Sequence, residues 1–325
     1  IDCDAPVEID QAKFELKQPD KAALGEIFTE LGFTRLLTQF DIKPVTQPGQ
    51  MDLFSTEQPK TRAETSNHEY QLIDTPEAFE SFYEQLKHQK IFAVDTETTS
   101  VSPCKAQLVG LSFSWKPQTG YYLPVRAPLG QKCLDINDVC EKLGPILAET
   151  KIKKVGQNIK YDMIVLHNAA MPVRGIYFDT MVASYCLDAS RRSHSMDSMA
   201  ADFLGYQTIP ISDLIGKGKN QTTFDMVETS IACRYSAEDA DITWRLYEYF
   251  DKRLKQEPQI EKLFHDVEMP LVSVLARMEL NGVSLDIKLL RRMSVEITKS
   301  LDELTDEIYK LAGQVFNIEI GRAHV

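Results

Sequence analysis

The stretch IFAVDTETTS, Ile91 to Ser100, constrains this chain more than any other. Ile91 to Val94 form a run suited to a strand, which stops abruptly at Asp95, with Glu97 two residues further on. Side chains two apart on a strand point to the same face, so both carboxylates leave it on one side. Like charges held that close repel, and a buried strand that ends in them needs a partner to offset the repulsion. The stretch therefore predicts a buried strand whose end is a site for positive charge.

Around that strand the chain divides by pattern. In residues 1–40, QPDKAALGEIFTELGFTRLL puts Pro19-Asp20 at a helix start, with Leu24, Ile27, Phe28, Leu31 and Leu36 at helical spacing. Residues 41–70 hold prolines, small polar residues and charges without periodicity, and read as a linker. Residues 71–255 open with strands (IFAVDTET, QLVGLSFSW, GYYLPV), followed by an amphipathic helix (DINDVCEKLGPILAE), a short strand (IKKVGQN) and a helix (NIKYDMIVLHNAA). Helical segments then run through FDTMVASYCL, SMDSMAADFLG and TSIACRYSAEDADITWRLYEYFDKRL. Strands in series followed by helices imply a mixed sheet flanked by helices, an α/β domain.

In residues 256–318, EMPLVSVLARMELNGVSLD gives a helix stopped by Asn281-Gly282, and Asp286 is placed to cap a second one. Ile297, Leu301, Leu304, Ile308 and Leu311 recur there at spacings of four and three, which reads as a packing seam between antiparallel helices. The closing EIGRAHV matches nothing before it. ATC GGA AGA GCA CAC GTC would encode Ile320 to Val325 and resembles a sequencing-library adapter, so residues 319–325 are set apart as a foreign tail. Ile1 is likewise read as not a native start.

The formal charge of −12, from 36 basic against 48 acidic residues, argues against a broadly basic nucleic-acid binder. It leaves room for an enzyme that takes one strand end through a local basic channel. The cysteines (Cys3, Cys104, Cys133, Cys140, Cys186, Cys233) form no CxxC pair and no zinc spacing with histidine, which implies reduced thiols in a cytoplasm. No apolar run approaches the roughly 20 residues of a membrane helix, and no signal peptide opens the chain.

Two downstream segments supply partners for Asp95 and Glu97. In VGQNIKYD, Asp162 falls in the first turns of a helix after a short strand; in CRYSAEDAD, Tyr235 and Asp239 are four apart on one helical face. Alone, each is ordinary turn, helix-start or surface chemistry. Together, four carboxylates and a tyrosine from three segments can converge on divalent cations; oxygen ligands suit Mg²⁺ or Mn²⁺, and two such ions can stabilise both attacking and leaving oxygens of a phosphoryl displacement. In that arrangement Asp95 bridges two ions, Glu97 holds one, and Tyr235 hydrogen-bonds the attacking water.

DTET, GQNIKYD and YSAED, in that order, resemble the three signatures of the 3′–5′ exonuclease domain of bacterial family A DNA polymerases, the polymerase I type. RGIYFDTMVASYCLD, HSMDSMAADFLGY and IGKGKNQTTF carry the same likeness between them. FELKQPDKAALGEIFTELGFTRLL is similar to the segment that closes the 5′-nuclease region of that family, and EMPLVSVLARMELNGVSLD to the start of its polymerase domain, with thumb helices to follow. The resemblance implies a ribonuclease H-like fold of the DEDDy type over residues 71–255 and a helical start of the polymerase domain over 256–318. It implies Asp95, Glu97, Asp162 and Asp239 as ligands of two divalent ions, Tyr235 as the residue that orients water, and Thr98, Gln157 and Asn158 beside the terminal nucleotides. Val101 and Ile211 match the places where the family wedges and stacks the last bases, though a leucine and a phenylalanine are expected there. Lys160, Lys217 and Lys219 are candidate phosphate contacts, weighed equally against solvated surface lysines. The implied partner is the single-stranded or frayed 3′ end of a DNA primer, and the implied setting a monomer at the bacterial nucleoid. Two alternatives are an exonuclease fold that only supports a polymerase, which the intact carboxylate set opposes, and an RNA-trimming enzyme like ribonuclease D, which the flanking segments oppose.

Overall fold

A computed structural model of the chain describes residues 19–30, isolated positions between 33 and 42, residues 68–218 and residues 221–319. Internal contacts divide the chain into two units, Ile1–Arg62 and Ala63–Val325. In the first, helix α1 (Lys21–Glu30) begins at Asp20, whose carboxylate accepts the backbone N–H groups of Ala22 and Ala23 at 3.0 and 3.2 Å. The Pro-Asp start read from the sequence is thus a working N-cap.

The second unit is built on six strands: β1 (Glu69–Leu72), β2 (Ile91–Thr98), β3 (Leu108–Ser114), β4 (Thr119–Pro124), β5 (Lys153–Gly156) and β6 (Ile176–Asp179). They lie in the order β1-β4-β3-β2-β5-β6. β3 runs antiparallel to β2 and β4, while β1 pairs parallel with β4 and β5 parallel with both β2 and β6. The sequence Ile91–Val94 supplies the centre of this sheet, with Phe92, Ala93 and Val94 fully buried. A mixed sheet with one reversed strand, flanked by helices, is the ribonuclease H-like α/β arrangement.

The helices of this unit are α2 (Pro76–Leu86), α3 (Ile136–Ala148), α4 (Ile159–Asn168), α5 (Thr180–Leu187), α6 (Met196–Met199), α7 (Ile211–Ile215), α8 (Thr229–Leu254), α9 (Pro258–Leu263), α10 (Met269–Asn281) and α11 (Ile287–Ala312). The long α8 crosses β4, β3 and β2 on one face of the sheet. In its first half the buried residues include the small Ala232, Ala237 and Ala240. Opposite them stands Gly120 of β4, where a Cβ would lie 2.4 Å from the Ala237 carbonyl oxygen. Only glycine permits that approach. It sets the distance at which α8 presents its first turns to the end of β2.

Several features differ from the sequence reading. β1 begins at Glu69, inside the stretch read as linker, and the helix read in FDTMVASYCL forms over Thr180–Leu187, while its first two residues, Phe178 and Asp179, close the strand Ile176–Asp179. Both strands have four residues, too short for alternation to show, and parallel neighbours rather than local pattern define them. α2, started by Thr75 with Pro76 at its first position, was not read at all. Asp286 does cap α11, accepting the Leu289 N–H at 2.9 Å, and Gly282 does end α10. The seam along α11 is not a packed one here: Ile297, Leu301 and Leu304 remain more than half exposed, and no described residue covers them. Residues 320–325, most of the presumed tail, and most of 41–70 lie outside the described residues.

Candidate active site

β2, inside the sheet, delivers its carboxylates at its C-terminal end, where α8 crosses. Asp95, Glu97 and Asp239 come together there, each offering an oxygen within 4.8 Å of the others. Glu97 and Asp239 are buried and Asp95 is half-buried. The Ser236 hydroxyl donates to Glu97 Oε1 at 2.7 Å, so the residue between Tyr235 and Ala237 aims one carboxylate while its helix supplies another. Asp162, on α4, stands beside this trio rather than within it. Its Oδ1 accepts both the backbone N–H (3.1 Å) and the hydroxyl (2.6 Å) of Thr96, the residue between the two acids of β2. One oxygen of Asp162 is therefore held by the strand and the other is left to the cleft.

Burial raises every one of these carboxyls above its ordinary range. For Glu97 the Asp95 charge adds to that; for Asp162 it is again Asp95, and for Asp239 both Asp95 and Glu97. The hydrogen bonds from Thr96 and Ser236 pull in the other direction and do not overcome the repulsion. Such a group of oxygens is stable in its charged form only beside a cation, and an all-carboxylate donor set suits a hard divalent ion. The Tyr235 phenol is also pushed up, by burial first and then by the charges of Asp239, Glu97 and Asp95. It stays a neutral hydroxyl at any physiological pH.

These residues line one cleft of about 810 Å³. Thr98, Val101, Gln157, Asn158 and Ile211 line it too, so the site residues named from the sequence share a single cavity. Gln157 is held from two sides: the Thr180 hydroxyl donates to its Oε1, and its Nε2 donates to the His194 carbonyl at 3.1 Å. Asn158 sits in the left-handed region, φ 59° and ψ 44°, an uncommon conformation outside glycine that turns the chain from β5 into α4. Val101 is fully exposed at the rim and Ile211 is 40% exposed.

The lysines fare differently. Lys160 forms an ion pair with Glu279 of α10 and does not line the cleft. Lys217 is exposed, between glycines of which Gly218 lines the cleft. Lys219 lies outside the described residues.

Three further residues belong to the site's frame and were not read from the sequence. The Tyr161 hydroxyl lies 2.5 Å from Thr98 Oγ1 and donates to the Ser100 carbonyl, closing the turn after β2. Thr96 locks Asp162, as above. Asp179 ends β6 with a buried carboxylate that accepts four backbone N–H groups: Asn158 (3.2 Å), Ile159 (2.8 Å), Met181 (2.9 Å) and Val182 (3.2 Å). It caps α5 and also joins the start of α4 to it. An aspartate followed by threonine before a helical run is a capping signal that could have identified it.

Fold and site together define a carboxylate-centred nuclease on a ribonuclease H-like sheet. The family described as 3′–5′ exonuclease matches residues 70–255, and the chain belongs to that family. The DNA polymerase I of Pseudomonas aeruginosa is 38% identical over 321 residues, covering 98% of this chain and 34% of that protein. The DNA polymerase I of Chloroflexus aurantiacus is 31% identical over 341 residues, covering 98% and 36%. The chain thus spans about a third of the length of these curated relatives. Among solved structures, the POL domain of Pol1 from M. smegmatis, in complex with DNA primer-template and dNTP, matches with a TM-score of 0.59 at 18% identity, over 78% of this chain and 39% of that one. Brucella melitensis NrnC bound to pGG matches with a TM-score of 0.50 at 16% identity, over 69% and 98%. At those identities the two structures bear on the fold alone.

Proposed function

We propose that this chain removes nucleotides one at a time from the 3′ end of a DNA strand, as the proofreading part of a DNA polymerase I. The observation that carries the reading is the meeting of Asp95, Glu97 and Asp239 from two distant segments, with Asp162 and Tyr235, in one cleft. Asp95, Glu97 and Asp239 would hold one Mg²⁺ or Mn²⁺, and the free oxygen of Asp162 with Asp95 a second. When bound, the ions offset the carboxylate repulsion and supply Lewis acidity at the scissile phosphate.

The residues of the chain do the positioning. Tyr235, which keeps its proton, orients the attacking water by hydrogen bonding and does not deprotonate it. The water gives up a proton to solvent as its oxygen bonds to phosphorus, the P–O3′ bond breaks with the departing O3′ taking up a proton, and a nucleoside 5′-monophosphate leaves. Thr98, Gln157 and Asn158 fix the terminal nucleotide, while Val101 and Ile211 offer apolar surface to the last bases. A mismatched end frays more readily, so a cleft that admits only an unpaired strand selects errors without reading base identity. Residues 1–40 and 256–318 are assigned, by the same reading, to the neighbouring 5′-nuclease and polymerase domains, with 41–70 as the linker between. No described helix is long and apolar enough to cross a membrane; the working setting proposed is a monomer on DNA in the bacterial cytoplasm.

The test is digestion of 5′-labelled single-stranded DNA in Mg²⁺. Stepwise shortening with release of mononucleotides is expected, and an Asp95→Asn protein that remains folded should lose it by at least about 10³-fold, since the cluster acts as a unit. An Asp95→Asn protein that digests DNA as fast as its parent would refute the assignment. Equal or faster digestion of RNA would turn the reading toward an RNA-trimming enzyme.

A further inference from the structure

A second cavity, of about 770 Å³, opens where α10 packs beside β6 and α4. It shares no lining residue with the catalytic cleft, yet α4 is a wall of both: Asp162 faces the cleft and Met163 this cavity. Arg174 and Arg277 line it, together with His265, Tyr177 and the hydroxyl-bearing Thr150 and Ser273; no aspartate or glutamate does. Neither arginine has an ion-pair partner among the described residues, although acidic residues outnumber basic ones 48 to 36 in the chain. Arg191, by contrast, is paired with Asp202, and Arg245 lies near Asp241. Lys153 does not line the cavity but sets a third positive charge over the ring of Tyr177, which does, with its Nζ 3.6 Å from the ring centre.

Both arginines stand on fixed backbone. The Arg174 N–H donates to the Leu147 carbonyl at 2.9 Å, and the next residue, Gly175, accepts the Lys154 N–H at 2.9 Å. Gly175 has φ +71°, and a Cβ there would lie 2.6 Å from the Ile152 carbonyl oxygen, so this corner tolerates no other residue. Arg277 is carried by helix α10. Arg174 and Arg277 are both exposed at the mouth of a cavity that no carboxylate lines, and the planar fork of arginine matches phosphate oxygens two at a time. Hydroxyls and an imidazole beside them add donors. The ring of Tyr177 already has neighbours, His265 tilted against it at 5.4 Å and Lys153 over it, so the polar groups rather than an aromatic face are what the cavity offers a ligand.

We propose that this cavity binds a nucleotide phosphate, either the monoester of a free 5′-mononucleotide or a diester of a DNA strand, through Arg174 and Arg277. That the phosphate belongs to a nucleotide rests on the exonuclease reading; that an anion binds there does not. The experiment is calorimetric titration of the Asp95→Asn protein in EDTA, which stops hydrolysis but leaves the catalytic cleft able to bind, with dAMP in one arm, an oligo(dT) strand in the other and inorganic phosphate as a third probe; the same protein carrying Arg174→Ala/Arg277→Ala gives the cleft's own share of the binding. Saturable binding is expected, weakened at least tenfold in Arg174→Ala/Arg277→Ala and less in the lysine variants, which keep charge but lose the fork. Tighter binding of dAMP would assign the monoester; binding of oligo(dT) alone, with a salt slope of about 0.7 per phosphate neutralised, would assign the strand. Phosphate bound as tightly as either nucleotide would keep the anion site and overturn its nucleotide character. Binding by the folded double variant equal to the parent, or no saturable binding of any probe, would overturn the site itself. Neither result depends on whether the parent degrades DNA.

Discussion

Asp179 is the most informative residue to remove, because it touches no substrate and yet ties together the elements that do. Asp179 is 1% exposed, and its carboxylate accepts four backbone N–H groups from the starts of α4 and α5. Asp179→Ala leaves four donors unpaired in a dry place. A hydrogen bond to a charged acceptor contributes about 1.5–3 kcal/mol, and two of these four are long, at 3.2 Å. Against them stands the cost of burying the charge, which is large enough that the Asp179 carboxyl is raised despite all four bonds. The net loss comes to about 3–5 kcal/mol, or roughly 10 °C in melting temperature for a unit of this size. Asp179→Asn keeps one acceptor oxygen and sheds the buried charge, and should lose less than half as much.

A purely structural role would end there. Asn158, however, holds its left-handed conformation while donating to Asp179. Without that acceptor it is free to relax, carrying Gln157 and its own side chain out of the cleft and loosening the first turn of α4. Measured well below the melting point, KM for single-stranded DNA should rise by roughly tenfold to a hundredfold, more than kcat falls. Urea unfolding followed by circular dichroism and steady-state digestion read the two effects separately. An unfolding midpoint equal to the parent's would refute the hydrogen-bond reasoning; an unchanged KM in a destabilised protein would refute the positioning role.

Further outcomes follow from the same site. In EDTA the parent should lose stability as pH rises. Burial favours the protonated acids in the fold, so their stabilisation is complete below the ordinary values of 3.8 and 4.5, declines above them, and is gone once pH has passed about 7 for Asp95 and about 8 for Glu97. Asp95→Asn should therefore be more stable than the parent in EDTA at pH 8, by about 1–3 kcal/mol, and Mg²⁺ should close the gap; urea midpoints at pH 5 and 8 check this, and a gap independent of pH would count against it. Tyr235→Phe should unfold like the parent but hydrolyse roughly 10²-fold more slowly at saturating DNA, with KM little changed; an undiminished kcat would remove Tyr235 from the reaction.

The segment AEDAD, Ala237 to Asp241, separates what pattern can say from what packing decides. As a string it is a run of acids on a helix, and the four-residue spacing from Tyr235 singles out Asp239 for a shared face. Tyr235 and Asp239 do line one cleft. The destinations of its neighbours were invisible. Glu238 accepts the Tyr206 hydroxyl at 2.7 Å and the Ile209 N–H at 2.6 Å, and Asp241 accepts the Tyr70 hydroxyl at 3.0 Å and the Gln118 N–H at 2.6 Å. Three acids in four residues serve three different structures. Their partners lie as far as 171 positions away in the chain, and no local spacing encodes them.

By itself, then, the sequence determined the face each functional side chain takes on its own strand or helix, because the periods of two and 3.6 are properties of the local backbone. It placed Asp95 with Glu97, and Tyr235 with Asp239. Which element comes against which, and how near, was decided by tertiary structure: by the bare backbone of Gly120 under Ala237, by Thr96 holding one oxygen of Asp162, and by Asp179 joining two helix starts. Those are contacts between parts of the chain that only folding makes neighbours, and their energies depend on burial that no isolated segment has.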